Sequence, residues 1–230
     1  MSLQENIAIV KKNIEESQKL SKYNQSVELI AVTKTVESDV MNEALDYGIT
    51  NIGENKVQEI QRKYDDIKEL VNWHLIGTLQ TNKVKYIADK VYMIHSLDRI
   101  ELAKEIDKQA KKHNRVIACL IQVKLSEEDT KHGVEPDAVF ELVKQVSQSY
   151  PNIKVSGLMG MAPYKENNED ARIYFKTLKQ IFDKLSEMNL SNVDMKNLSM
   201  GMSNDYEIAI QEGATLVRVG TSIFGERNYN

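Results

Sequence analysis

The sequence is poor in several things, and each shortage excludes something. A single cysteine, Cys119, stands among 230 residues, so no intrachain disulfide can form and a reducing compartment suits the chain. No apolar run approaches the roughly 18 residues that a membrane-spanning helix needs. The opening stretch "MSLQENIAIVKKNIEES" is polar throughout, where a secretory leader has an apolar centre. The expected location is cytoplasmic. Three prolines and ten glycines, with no low-complexity tract, mark no linker, so residues 1–230 are expected to form one domain. A net charge of −4 gives no electrostatic footprint for nucleic acid or for an anionic membrane. With four histidines and no HExxH, CxxC or paired-His spacing, a metal site has little support. Walker and complete GxGxxG motifs are missing, which weakens nucleotide and dinucleotide readings.

What is present is alternation. Short apolar runs at Leu29–Thr33, Asn51–Gly53, His74–Ile76, Val91–His95, Val116–Val123, Val155–Met159, Leu198–Met200 and Leu216–Val219 read as strands. Between them lie stripes of helical spacing. Val57, Ile60, Tyr64 and Ile67 form one, and Ile100, Ala103, Ile106 and Ala110 form another behind an Asp98…Glu101 capping box. Val139, Leu142, Val143 and Val146 follow Pro136, which suits a first helical turn, and Phe175, Leu178, Ile181, Phe182 and Leu185 make a further stripe. Gly48 and Gly213 stand where helices should end. Strand-then-helix alternation implies a parallel sheet, and eight repeats in this length favour an α/β closed (β/α)₈ TIM barrel. An extra N-terminal helix, over about residues 3–22, precedes the first strand and would cover part of the barrel.

In such a barrel chemistry sits at the C-terminal strand ends. Polar residues there include Lys34 after strand one, Glu54 and Asn55 after strand two, Ser96 after strand four, and Arg218, Gly220, Thr221 and Ser222 following strand eight. The segments "GMSND" and "VGTSIFG" run from strand ends into small residues and hydroxyls, and loops seven and eight are the recurrent phosphate site of this barrel. Ser203 also suits the N-cap of the helix carrying Ile208 and Ile210. A lysine facing a phosphate cup suggests a Schiff base with a phosphorylated carbonyl compound: either bound pyridoxal phosphate or a sugar phosphate in a class I aldolase. A strand-end lysine reaching for water is the plain alternative. His74 and His95, inside apolar strands, read as hydrogen-bonded core, and Cys119 as a small buried hydrophobe.

The segments "AVTKT", "IGENKVQE", "WHLIGTLQTNK", "GLMGMAPY", "LSMGMSNDYEIAI" and "VRVGTSIFGERNY", in order from Leu29 to Tyr229, resemble the pyridoxal phosphate homeostasis protein family. The resemblance implies a barrel similar to the N-terminal domain of alanine racemase, with pyridoxal 5′-phosphate as cofactor. It implies that Lys34 carries the cofactor as a Schiff base and that Ser203, Gly220 and Thr221 hold its phosphate. Arg218 would face the pyridine nitrogen and keep it unprotonated, since two positive charges in contact are costly. Asn55 would lie beside the ring. Thr33 stands where serine is more usual and Lys56 where tyrosine is common; neither change touches the lysine or the phosphate cup.

Racemase chemistry in the related fold needs a tyrosine from a separate β domain of a partner subunit, and this chain reaches only a few residues past the phosphate loop. Tyr164 or Tyr229 would have to substitute. The expectation is a non-catalytic binding protein, a monomer or weak dimer, that holds pyridoxal phosphate and supplies apo-enzymes that depend on it. A racemase-like enzyme acting on a small amino acid is the alternative.

Overall fold

In the computed structural model, which describes residues 1–67, 70–126, 132–164 and 166–225, the eight apolar runs become eight parallel strands closed into a barrel in chain order. They are β1 (Glu28–Val32), β2 (Asn51–Glu54), β3 (Asn72–Leu75), β4 (Met93–Leu97), β5 (Ile117–Val123), β6 (Ile153–Gly160), β7 (Val193–Met202) and β8 (Leu216–Val219). β1 pairs with β2 through Ile30 and Asn51 and with β8 through Glu28 and Leu216, so the sheet has no free edge. The helices are α1 (Leu3–Leu20), α2 (Ser38–Asp46), α3 (Val57–Lys63), α4 (Ile100–Lys112), α5 (Val139–Ser149), α6 (Arg172–Ser186), α7 (Tyr206–Gln211) and α8 (Thr221–Phe224).

Most of the stripe residues on α5 and α6 are buried as their spacing predicts, with Phe182 half-buried. Val139, Leu142, Val143 and Val146 are all buried on α5, as are Phe175, Leu178, Ile181 and Leu185 on α6. Each such side chain contributes roughly 1.5–3 kcal/mol when fully buried. The N-terminal helix α1 buries Ile7, Val10 and Ile14, and the Asn6 amide donates to the Ile223 carbonyl oxygen at 2.9 Å, tying α1 to α8. Gly48 and Gly213, just past α2 and α7, take φ of 77° and 96°, the left-handed conformation that ends a helix at little cost for glycine.

Several local expectations need correction. The strand read as His74–Ile76 is β3, Asn72–Leu75, and the one read from Val91 begins at Met93; ladder partners set these ends, Asn51 to Asn72 and His74 to Met93. Ser96 therefore lies inside β4 rather than after it, and its hydroxyl is buried without a hydrogen-bond partner among the described residues. The Asp98…Glu101 capping box does not form. Arg99 occupies the N-cap of α4, and Asp98 instead accepts from the Arg99 guanidinium at 2.5 Å. The stripe through Ile67 outruns its helix: α3 stops at Lys63 and a 3₁₀ turn follows over Tyr64–Asp66.

The core has two parts. A large apolar layer lies between barrel and helices. A smaller one, made of Ile30, Met93, Leu120, Met159 and Leu216, fills part of the barrel interior. The rest of that interior is polar.

Candidate functional site

A cavity of 570 Å³ opens at the C-terminal strand ends, within the size range of small-ligand pockets. Lys34, Asn55, Ser203, Arg218, Gly220 and Thr221, six residues from four different strand-end segments, all line it. Lys34 follows β1 by two positions and is half-buried. Its neighbour Thr35 has φ of 66°, rare for a β-branched residue, at the point where the chain turns away from the barrel.

Behind that strand end is a buried ion pair. The Lys63 ammonium of α3 donates to the Thr33 carbonyl oxygen at 2.9 Å and pairs with Glu54 at 2.8 Å and Glu59 at 3.0 Å. The Thr33 hydroxyl donates to the same Glu54 oxygen at 2.7 Å. Burial pushes the Glu54 carboxyl up from the usual carboxylate range, while Lys63 and Thr33 pull it down. The other Glu54 oxygen has no hydrogen-bond partner among the described residues. Glu54 is thus the last residue of β2, bonded to Thr33 and Lys63, and not a free strand-end acid.

Asn55 meets the next loop very closely. A Cβ on Gly77 would lie 2.2 Å from the Asn55 carbonyl oxygen and 2.8 Å from its Cα, and both contacts are backbone that cannot swing aside. Gly77→Ala should therefore push the Asn55 backbone out of the wall, at a cost of about 1–3 kcal/mol in thermal denaturation. An unchanged melting temperature would show that the two loops do not touch as described.

Ser203 does not cap α7, as its sequence position suggested. Asp205 holds the N-cap position of α7, and its carboxylate accepts the Met202 N–H at 2.6 Å. The Ser203 hydroxyl accepts the Gly220 N–H at 3.2 Å, so the loops after β7 and β8 are fastened to each other. The Thr221 N–H, the first of α8, has no acceptor within the helix and stands at the same wall, while those of Ile223 and Phe224 bond the Gly220 carbonyl oxygen.

Arg218 lies inside β8, not after it, and is buried. Its guanidinium donates to the Ser199 hydroxyl at 2.5 Å and to the Gly160 carbonyl oxygen at 3.1 Å. Among the described residues no carboxylate pairs with it. Burial pushes it down to about 10, with the charge of Asp205 opposing, so it is cationic at neutral pH.

Among the lining residues that the sequence does not single out, two are polar or charged and buried or shifted by burial. Gln122 sits in β5 and donates to the His132 carbonyl oxygen at 2.8 Å; a glutamine inside "ACLIQV" was the available signal. Asp205, next to the "GMSN" turn, also lines the cavity, and burial raises its carboxyl. Tyr164 lines the cavity and is largely exposed; Tyr229 lies outside the described residues. His74 and His95 are hydrogen-bonded core, and Cys119 is buried with its thiol pushed up by burial. Among the described residues no cluster of three metal-ligating side chains occurs, and no helix is long and apolar enough to cross a membrane.

The family model "Alanine racemase, N-terminal domain" matches residues 6–228. A relative from Aquifex aeolicus, named a pyridoxal phosphate homeostasis protein, is 50% identical over 202 residues, which is 87% of this chain and 87% of the relative. One of the same name from Pasteurella multocida is 35% identical over the full length of both chains. The solved structure of PipY from Synechococcus elongatus with pyridoxal phosphate bound is 31% identical and superimposes with a TM-score of 0.84, covering 97% of this chain and all of that one. The chain belongs to the pyridoxal phosphate homeostasis protein family, built on the barrel of the alanine racemase N-terminal domain.

Proposed function

We propose that this chain is a pyridoxal 5′-phosphate-binding protein that holds the cofactor as a Schiff base on Lys34 and takes part in intracellular cofactor homeostasis. It acts as one barrel domain over residues 1–230, in the cytoplasm, as a monomer or weak dimer, passing the cofactor to apo-enzymes without catalysis of its own. The observation that carries the reading is convergence: an amine, a buried guanidinium and two fastened small-residue loops share one cavity.

The residues fit the group. The cavity is large enough, the phosphate side has the Ser203 and Thr221 hydroxyls with the Thr221 N–H, and Arg218 brings a positive charge with no described carboxylate bonded to it. When bound, the cofactor supplies an aldehyde that condenses with an amine. Lys34 would provide that amine from a half-buried position in the cavity wall. Ser203, Gly220 and Thr221 would hold the phosphate, and Asn55 would stand beside the ring. The two fastened loops limit water access from that side.

Lys34→Ala is expected to abolish covalent attachment and leave the fold intact, because a half-buried pocket lysine contributes little to packing. The check is visible absorption after loading with pyridoxal phosphate, beside a melting curve of the unloaded protein. A variant that still gives the reducible yellow species would remove Lys34 from its role. A racemase-like activity predicts solvent deuterium entering the α-carbon of an amino acid at a Lys34-dependent rate; no exchange is expected.

A further inference from the structure

A hydrogen-bonded chain crosses the polar part of the barrel interior, from the cavity to the opposite mouth. The Arg218 guanidinium meets Ser199 Oγ at 2.5 Å, Ser199 Oγ meets His95 Nδ1 at 3.0 Å, and His95 Nε2 meets His74 Nδ1 at 2.9 Å. His74 Nε2 meets Asn51 Oδ1 at 3.1 Å, and the Asn51 amide nitrogen reaches the exposed carboxylate of Glu28 at 3.3 Å. Four strands besides β8 contribute one member each up to Asn51, and Arg218, Ser199, His95, His74 and Asn51 are all buried.

The direction of every bond follows from the two ends. Arginine has donors and no acceptor, so Ser199 Oγ accepts from it and turns its own hydrogen to His95 Nδ1. His95 then carries its proton on Nε2 and donates to His74 Nδ1, and His74 in turn donates from Nε2 to Asn51 Oδ1. At the far end a carboxylate accepts only, so Asn51 must present its NH₂ to Glu28 and its oxygen to His74. The Asn72 amide, donating to that same oxygen at 3.0 Å, requires the same orientation. With both rings neutral each group has one role; a proton added to His74 would set two N–H donors face to face, and one added to His95 would turn the Ser199 hydrogen away from the chain.

We infer that Ser199, His95 and His74 are positioning residues for Arg218: they fix its guanidinium at the cavity wall without neutralising its charge. A carboxylate partner would also hold a buried arginine, but it would cancel the charge that the cavity receives. A hydroxyl whose own hydrogen is committed to a neutral imidazole holds the guanidinium in place and leaves its charge in force. Burial supports the neutral rings, pushing the His74 imidazole down to about 3 and that of His95 well below its ordinary value. The inference rests on reading the cavity as a pyridoxal phosphate site, where a guanidinium with no carboxylate bonded to it would disfavour protonation of the ring nitrogen.

Two measurements test it. Long-range ¹H–¹⁵N correlation on the unloaded protein at neutral pH should show both rings neutral with the proton on Nε2. Pyridoxal phosphate is then titrated into the wild type, Ser199→Ala, His95→Leu and His95→Gln, following affinity and the absorption maximum of the bound cofactor. Ser199→Ala and His95→Leu should bind about tenfold more weakly, the scale of one lost hydrogen bond to a charged group, with a shifted maximum. His95→Gln should restore both, since its carbonyl and amide stand in for Nδ1 and Nε2. Should His95→Leu fail to fold, Ser199→Ala and the ring tautomers decide. A protonated ring, an Nδ1–H tautomer, or wild-type affinity and absorption in Ser199→Ala would overturn this role alone. A wild type that takes up no pyridoxal phosphate would overturn the cofactor reading, and this role with it.

Discussion

Lowering the pH from 7 to 5 should remove about 3–4 kcal/mol of stability through two histidines alone. His74 and His95 are buried and neutral in the fold, and in the unfolded chain they titrate near pH 6.5. Their folded pKa values are depressed, so the unfolded state binds more protons across this range, and stability falls as the pH falls. The loss begins at the unfolded value and continues, for His74, down to about 3. Each ring contributes a slope approaching about 1.4 kcal/mol per pH unit, against a total stability on the order of 5–15 kcal/mol. Glu54 acts with the opposite sign, because its folded pKa is raised, and offsets part of the loss at lower pH. Urea denaturation at a series of pH values reads the effect. Substituting either histidine by glutamine should roughly halve the slope between pH 6.5 and 5. A flat stability profile in the wild type, or an unchanged slope in both variants, would contradict neutral buried rings.

Lys63→Met is expected to cost about 3–5 kcal/mol, since it leaves the Glu54 carboxylate buried beside Thr33 without its cation. Lys63 and Glu54 are both 0% exposed, so solvent cannot screen the orphaned charge. Glu59, the other partner, is 27% exposed and can turn to water. The deficit should shrink when Glu54→Gln is added, because the neutral amide still accepts from Thr33. It should also shrink at acid pH, where protonation removes the charge. Chemical denaturation of the two single variants and the double variant gives the coupling. Additive losses would mean that the pair does not act as a unit. Because Lys63 also holds the Thr33 carbonyl, one residue before Lys34, a weakened pair should loosen the strand end that presents the amine.

The barrel was legible in the sequence because its signals are local. Apolar runs and stripes such as Val139, Leu142, Val143 and Val146 declare which face is buried, whatever packs against it. The cavity was legible for a related reason: strand ends that run into "GMSND" and "GTS" offer few roles other than a tight, polar turn. What escaped depends on partners distant in sequence. Strand ends followed ladder neighbours, as with Asn72 against Asn51, and the Asp98 box lost to the adjacent arginine. Ser203 left its helix for the Gly220 N–H of the next loop, and Lys63 is a solvated helix residue on any sequence pattern until Glu54 is placed beneath it. The histidines were recognisable as core, but their joining through Ser199 to Arg218 required the barrel to close. The family resemblance supplied the cofactor, which spacing alone had left shared with a sugar-phosphate aldolase.

The central claim is that Lys34 holds pyridoxal phosphate covalently. The most direct test is the visible spectrum of the loaded protein, followed by borohydride reduction, proteolysis and mass mapping. A yellow band that disappears on reduction is expected, with a pyridoxyl group on the peptide containing Lys34. A protein that stays colourless with added pyridoxal phosphate, or a label spread over surface lysines and missing from Lys34, would contradict it.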